Sequence, residues 1–230
     1  MTRFGRSLIV CATVLFTVVF MTTAIAHAQT TATPPVPPHR IALEVTVAAT
    51  FGHTSSGSFG AEADYAFSPR LDFFVETAHI GDAATSDFDD RAHAVGAAVG
   101  ASVDAAQRVN FLDFGARYHV GQYIPAIEKV HPYVAGGIGF ANVKNTTNFS
   151  VNGTPVVPES LGIQLGSDLS GTHNRPYLML GFGGTMPFYR RYFIDFGYRY
   201  GRATSETSDG ETVLAGVNTN RLQIGGGIYF

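Results

Sequence analysis

From Ile41 onward the chain alternates apolar and polar residues with a period of two, the mark of strands that separate two environments. Eight segments carry the pattern: Ile41–Phe51, Ser58–Phe67, Leu71–Ile80, Val109–Val120, Pro132–Val143, Arg175–Pro187, Tyr192–Arg202 and Thr219–Phe230. Each has roughly the 9–11 residues that a tilted strand needs to cross a bilayer. One parity holds no Asp, Glu, Lys or Arg; it runs Ile41, Leu43, Val45, Val47 in the first segment and Leu222, Ile224, Ile228, Phe230 in the last. The other parity holds Glu44, Glu62, Asp64, Asp72, Glu76, Asp113, Arg117, His119, Asp195, Arg199, Arg221 and Gln223.

A soluble sandwich would produce the same alternation, so the connections matter. Ser68-Pro69-Arg70 and Phe188–Arg191 are tight, and Gly121–His131 is intermediate. Gly52–Gly57, Gly81–Arg108, Lys144–Asn174 and Ala203–Asn218 are polar and mostly longer. Short turns on one side and long loops on the other are the outer-membrane pattern, and soluble sandwiches use shorter strands. The expected fold is all-β: a closed antiparallel up-and-down transmembrane β-barrel of eight strands over residues 41–230. Ala94–Val103 is assigned to the second external loop, as a hairpin extension or a short helix; a ten-strand barrel is the alternative.

The N-terminus reads as a Sec signal peptide. Arg3 and Arg6 precede the apolar run Ser7–Phe20, and Ala26-His27-Ala28 is a small-x-small site, so cleavage is expected after Ala28. Thr30–His39 carries four prolines, so residues 29–40 read as an extended linker. Cleavage removes two of 15 basic residues and none of 18 acidic ones, taking the formal charge from −3 to −5. That balance excludes a nucleic-acid footprint. The only cysteine, Cys11, lies in the signal, so the mature chain has no disulfide or Cys-based metal site.

"HPYVAGGIGFANV" (His131–Val143), "FIDFGYRYG" (Phe193–Gly201) and the ending "LQIGGGIYF" resemble the small eight-stranded outer-membrane β-barrel family of the OmpA/OmpX and opacity-protein type. The likeness covers roughly residues 41–230. It implies an outer-membrane location and lipid and lipopolysaccharide as surroundings. It also implies that the barrel-assembly machinery reads Phe230 as an assembly signal. Phe230 is expected at the periplasmic rim with Tyr65, Phe67, Phe73, Tyr118, Phe188, Tyr189 and Tyr192 as an aromatic girdle, and Tyr198 and Tyr200 at the outer one.

Eight strands enclose a space that side chains just fill. Arg117, Arg199 and Arg221 are therefore expected to be ringed by Glu44, Glu62, Glu76, Asp113 and Asp195, a charge network in the lumen. Such a network is either a structural plug or a cation-favouring water path; a proton-linked gate through His119 or protonated acids is a third use. The glycines of Gly136–Phe140, Gly181–Gly184 and Gly225–Gly227 lie within strands with no helix following, which excludes a dinucleotide loop and favours curvature and close packing.

His53 stands two residues before Ser55 at the outer rim, a pairing that acyl-transfer chemistry would use, yet no third residue is fixed by spacing. The acidic stretch Asp82–Asp90 lacks the spacing of a calcium loop, and His53, His79, His93, His119, His131 and His173 form no ligand set. No catalytic residue, cofactor or metal is expected. The expected function is a monomeric outer-membrane protein, not an enzyme, with a structural or surface-interaction role carried by its external loops. The alternatives are a narrow porin-like channel and a lipid A-modifying enzyme.

Overall fold

The computed structural model describes residues 41–120, 130–208 and 211–230, with Tyr189 and residues 206–208 and 211–214 described by backbone alone. The signal segment, the proline-rich linker, most of the Gly121–His131 connection and the Tyr189 ring lie outside the described residues. The strands are β1 (Ile41–Phe51), β2 (Ser56–Ser68), β3 (Leu71–Ile80), β4 (Ser102–His119), β5 (Pro132–Val151), β6 (Thr154–Val156), β7 (Gly171–Tyr189), β8 (Tyr192–Ala203), β9 (Glu206–Ser208), β10 (Glu211–Leu214) and β11 (Val217–Tyr229). One helix, α1 (Ser86–Ala98), lies between β3 and β4.

Eight of these strands close into a barrel in the order β1-β2-β3-β4-β5-β7-β8-β11, every neighbouring pair antiparallel, with β11 returning to β1. The register shows the tilt directly. Ile41 opposes Tyr65, which opposes Phe73, then Ala116, Gly136, Leu180, Tyr200, Asn220 and finally Phe51. One circuit therefore climbs from residue 41 to residue 51, a shear of ten, which for eight strands inclines them by about 40–45°. Closure leaves no unpaired edge within the wall.

The two parities separate as the alternation requires. Val45, Ile138 and Phe140 point outward with 69%, 66% and 67% of their surface exposed, while Glu76, Asp113, Asp195 and Arg221 are wholly buried. In water this arrangement would be inverted, because apolar surface is driven inward and buried charge is disfavoured. A soluble sandwich would bury the apolar parity against a second sheet, and here that parity faces out. The fold is thus a transmembrane barrel of the outer-membrane type. Tyr65, Phe67, Phe73, Tyr118, Phe188, Tyr192 and Phe230 are exposed around the end that carries the tight turns. The Phe67 and Phe73 rings meet edge to face at 5.5 Å, and the Phe230 N–H donates to the Ile41 carbonyl at 2.8 Å.

Three strands run further than the alternation implied. β4 begins at Ser102, β5 continues to Val151 and β7 begins at Gly171, so parts of the expected loops Gly81–Arg108 and Lys144–Asn174 are ladder. Ser102–Arg108 pairs with Lys144–Ser150. Above the membrane the outward face meets water, so Asp104, Arg108, Lys144 and Asn148 sit there and the apolar parity that marks a strand is lost.

Ala94–Val103 is the end of α1 and the start of β4, so the strand count around the barrel stays at eight. The helix has a local cause. Thr85 caps it, accepting from the Phe88 N–H at 3.3 Å, and Asp87 and Asp89 sit in the first turn against the helix dipole. Phe88 and Ala92 pack on Ala84, Ala105 and Leu169, placing α1 against the inward face of the β4 extension. Gly96 allows this close approach, since a Cβ there would overlap the Val103 side chain.

Candidate functional site

The lumen is stratified. At its charged level the register sets four carboxylates side by side on the inner wall: Glu44 on β1 opposes Glu62 on β2, Glu62 opposes Glu76 on β3, and Glu76 opposes Asp113 on β4. Like charges directly opposite one another repel. Two arginines answer them from β8 and β11, where Arg199 opposes Arg221.

The pairing is a zigzag of alternating sign. Arg117 bonds Glu62. Arg199 Nη1 lies 2.6 Å from both Glu62 Oε2 and Glu76 Oε2. Arg221 Nη1 and Nη2 donate to the two Glu76 oxygens at 2.7 and 3.2 Å. The chain Arg117–Glu62–Arg199–Glu76–Arg221 thus crosses the bore, and each guanidinium also lies over a ring: Tyr133 at 4.3 Å, Phe74 at 5.4 Å and Phe111 at 4.5 Å respectively.

The remaining sequence-derived residues are distributed around this chain. Asp195 accepts from the Tyr133 hydroxyl at 2.8 Å and the Thr185 hydroxyl at 2.9 Å. Asp64 lies 3.8 Å from Arg117. His119 and Asp72 pair at 2.7 Å at the half-exposed rim. Of the five carboxylates expected around the arginines, Glu62 and Glu76 bond them; Glu44 and Asp113 are buried, and none of their oxygens has a hydrogen-bond partner. The guanidinium bonds that form go to Glu62 and Glu76, which stand between those two residues in the row.

Alternation did not reveal the layer above. Ile80, Val109, Phe111, Val143, Tyr177, Met179 and Val217 fill the bore there, with Phe111 stacked on Tyr177 at 4.8 Å and the Tyr177 hydroxyl bonded to Thr219 at 2.9 Å. The signal was present, because these residues occupy the parity that carries charge lower down. Above them the mouth is stitched by polar contacts. Gln107 accepts from the Thr85 N–H at 3.0 Å, Asn145 donates to the Asp168 carbonyl at 2.7 Å, and Thr147 donates to the Leu169 carbonyl at 2.8 Å.

His53 meets Asp89 of α1 at 3.3 Å rather than Ser55, so it ties the first loop to the helix. Asp82 caps the same region, accepting from the Ala84 and Gln107 N–H groups at 3.0 Å. The acidic stretch is thus the start of a helix and its support.

No family model matches the sequence, and no curated protein matches it. Among solved structures the chain is similar to Ail, the attachment invasion locus protein of Yersinia pestis, at 13% identity and a TM-score of 0.45, over 84% of this chain and 99% of that one. It is also similar to Neisserial surface protein A at 13% identity and a TM-score of 0.43, over 83% and 96%. A major outer membrane protein from Thermus thermophilus matches at 12% identity and a TM-score of 0.46, over 84% and 100%. The fold assignment stands on the closed register and the exposed apolar belt of the chain itself.

Proposed function

We propose that the chain is a monomeric outer-membrane protein whose lumen is a structural plug and whose role is exercised from its external surface. One observation carries the reading: the bore is filled, by the arginine–carboxylate chain at one level and by the Phe111–Tyr177 layer above it. What remains available to a partner is the upper surface, where Asp87, Asp90 and His93 of α1 and Val157 and Glu159 beyond β6 are exposed. In this reading lipid and lipopolysaccharide surround the belt, and the barrel-assembly machinery engages β11 and Phe230 beside it. Catalysis has no support from the first loop, whose histidine is held by Asp89.

Two measurements test it. Purified protein inserted in a planar bilayer is expected to be electrically silent; steady conductance altered by Arg117→Ala would overturn the plug in favour of a narrow pore. Glu159→Cys introduces a single thiol into a mature chain expected to have none, and a membrane-impermeant maleimide is expected to label it on intact cells. Labelling only after lysis would remove the external-surface reading.

A further inference from the structure

The lower lumen holds more negative charge than its arginines balance. Glu44, Glu62, Asp64, Glu76, Asp113 and Asp195 are buried there against Arg117, Arg199 and Arg221, an excess of three carboxylates. Glu76 and Asp195 are fully engaged, as described above. Part of the excess lies where β1 meets β2, on Glu44 and Asp64. Carboxylate oxygens of Glu44, Glu62 and Asp64 all lie within 4.8 Å of one another. Glu44 is the decisive member: it is 3% exposed, it points into this cluster, and neither of its oxygens has a hydrogen-bond partner. A buried carboxylate without a partner either takes up a proton or acquires a counter-charge, and a cation supplies the latter.

Two further features point to a built site. The Glu44 carboxylate leans along the wall over Gly225, and a Cβ at that position would overlap its Oε1, so the glycine makes the room that the carboxylate occupies. A cavity of about 120 Å³ opens at the lower mouth, lined by Asp64, Asp72, Arg117, His119 and Tyr229 among others. Asp64 belongs both to this cavity and to the carboxylate cluster, which gives an ion a route from the end of the barrel with the tight turns.

We propose that Glu44, Glu62 and Asp64 bind a divalent cation, Ca²⁺, inside the barrel. The ligands are hard oxygens, and two oxygens each about 2.4 Å from one ion are at most about 4.8 Å apart, the spacing Ca²⁺ accepts. Mg²⁺ requires a smaller, near-octahedral shell and keeps most of its waters, which a buried cluster of three carboxylates does not accommodate. Glu44 supplies a carboxylate with no hydrogen-bond partner and Asp64 a second held only by a 3.8 Å contact, while Glu62, bonded to Arg117 and Arg199, contributes through a shared oxygen. The ion neutralises two of the three excess charges and ties β1 to β2 from within. This goes beyond the external role and does not depend on what the loops bind.

The test is calorimetric titration of the folded full-length protein in detergent, stripped with EDTA, dialysed into metal-free buffer and titrated with CaCl₂ and separately with MgCl₂. Saturable binding of one Ca²⁺ per chain is expected, weaker by about tenfold or more in Glu44→Gln and tighter than Mg²⁺. Gly225→Ala, which displaces the carboxylate while retaining it, is expected to weaken binding as well. Asp87→Asn with Asp90→Asn, on the outer face of α1, is expected to leave the affinity unchanged. Absence of saturable binding by the folded wild type would overturn the proposal, as would Mg²⁺ binding tighter than Ca²⁺. So would an affinity undiminished in Glu44→Gln, which would place the ion elsewhere. If Glu44→Gln does not fold, Asp64→Asn gives the same reading.

Discussion

Replacing Glu76 by alanine is expected to lower the stability of the barrel by about 3–5 kcal/mol, the range for removing one partner of a buried ion pair. Glu76 is wholly buried and is the only described carboxylate that both Arg199 and Arg221 bond, through three contacts of 2.6, 2.7 and 3.2 Å. Without it, Arg221 keeps no carboxylate partner among the described residues, and two directly opposed guanidiniums repel in the bore. Glu76→Gln is expected to fall almost as far, because it keeps the shape and removes the charge. The measurement is the urea midpoint of unfolding, followed by loss of the strand signal in circular dichroism. Adding Arg221→Met to Glu76→Gln is expected to restore part of the loss, since it removes the orphaned cation. A Glu76→Ala barrel with an unchanged midpoint would show that the zigzag is ornamental to stability.

Gly139→Val is expected to block assembly rather than weaken it. Gly139 faces inward on β5 directly opposite Asp113. A Cβ there would overlap the Leu112 carbonyl oxygen and stand 2.5 Å from the Asp113 Cα. Those atoms are backbone of the neighbouring strand and cannot rotate aside, so relief requires opening the β4–β5 ladder. The cost is at or above the upper end of ordinary overpacking, about 3 kcal/mol, and it falls on the longest pairing in the wall. Gly225→Ala is the control, because its Cβ meets only the flexible end of Glu44. Folded outer-membrane levels near wild type for Gly139→Val, and a drop for Gly225→Ala, would reverse this account.

The belt was legible because lipid imposes one rule on every strand that crosses it: Ile41, Leu43 and Val45 face out with the same parity as Leu222 and Ile224. The inward charges were legible for the same reason. Register was not. That Glu44, Glu62, Glu76 and Asp113 form one row depends on how strands separated by 14 to 37 residues are staggered, and period-two alternation is blind to shifts by two. The extension Ser102–Arg108 was hidden because both its faces carry polar residues once it leaves the membrane. Helix α1 did leave a trace, in Thr85 as a cap with Asp87 and Asp89 behind it, but the polar composition of the segment read as loop. Tyr133 and Thr185, which hold Asp195, lie on the inward parity and carry no charge to draw notice.

The row of carboxylates also sets an order of events. All four of its members lie on β1 to β4, the first half of the wall, whereas Arg199 and Arg221 arrive on β8 and β11. A half-built sheet therefore presents a strip of like charge relieved only by Arg117, and it cannot settle in an apolar bilayer by itself. Relief comes when the last strands deliver their guanidiniums at the correct stagger, since a slip of two residues would carry Arg221 away from Glu76. Stagger is thus coupled to charge: a miswound barrel leaves Glu76 and both late-arriving arginines unanswered in its bore, and the correctly closed one pairs them.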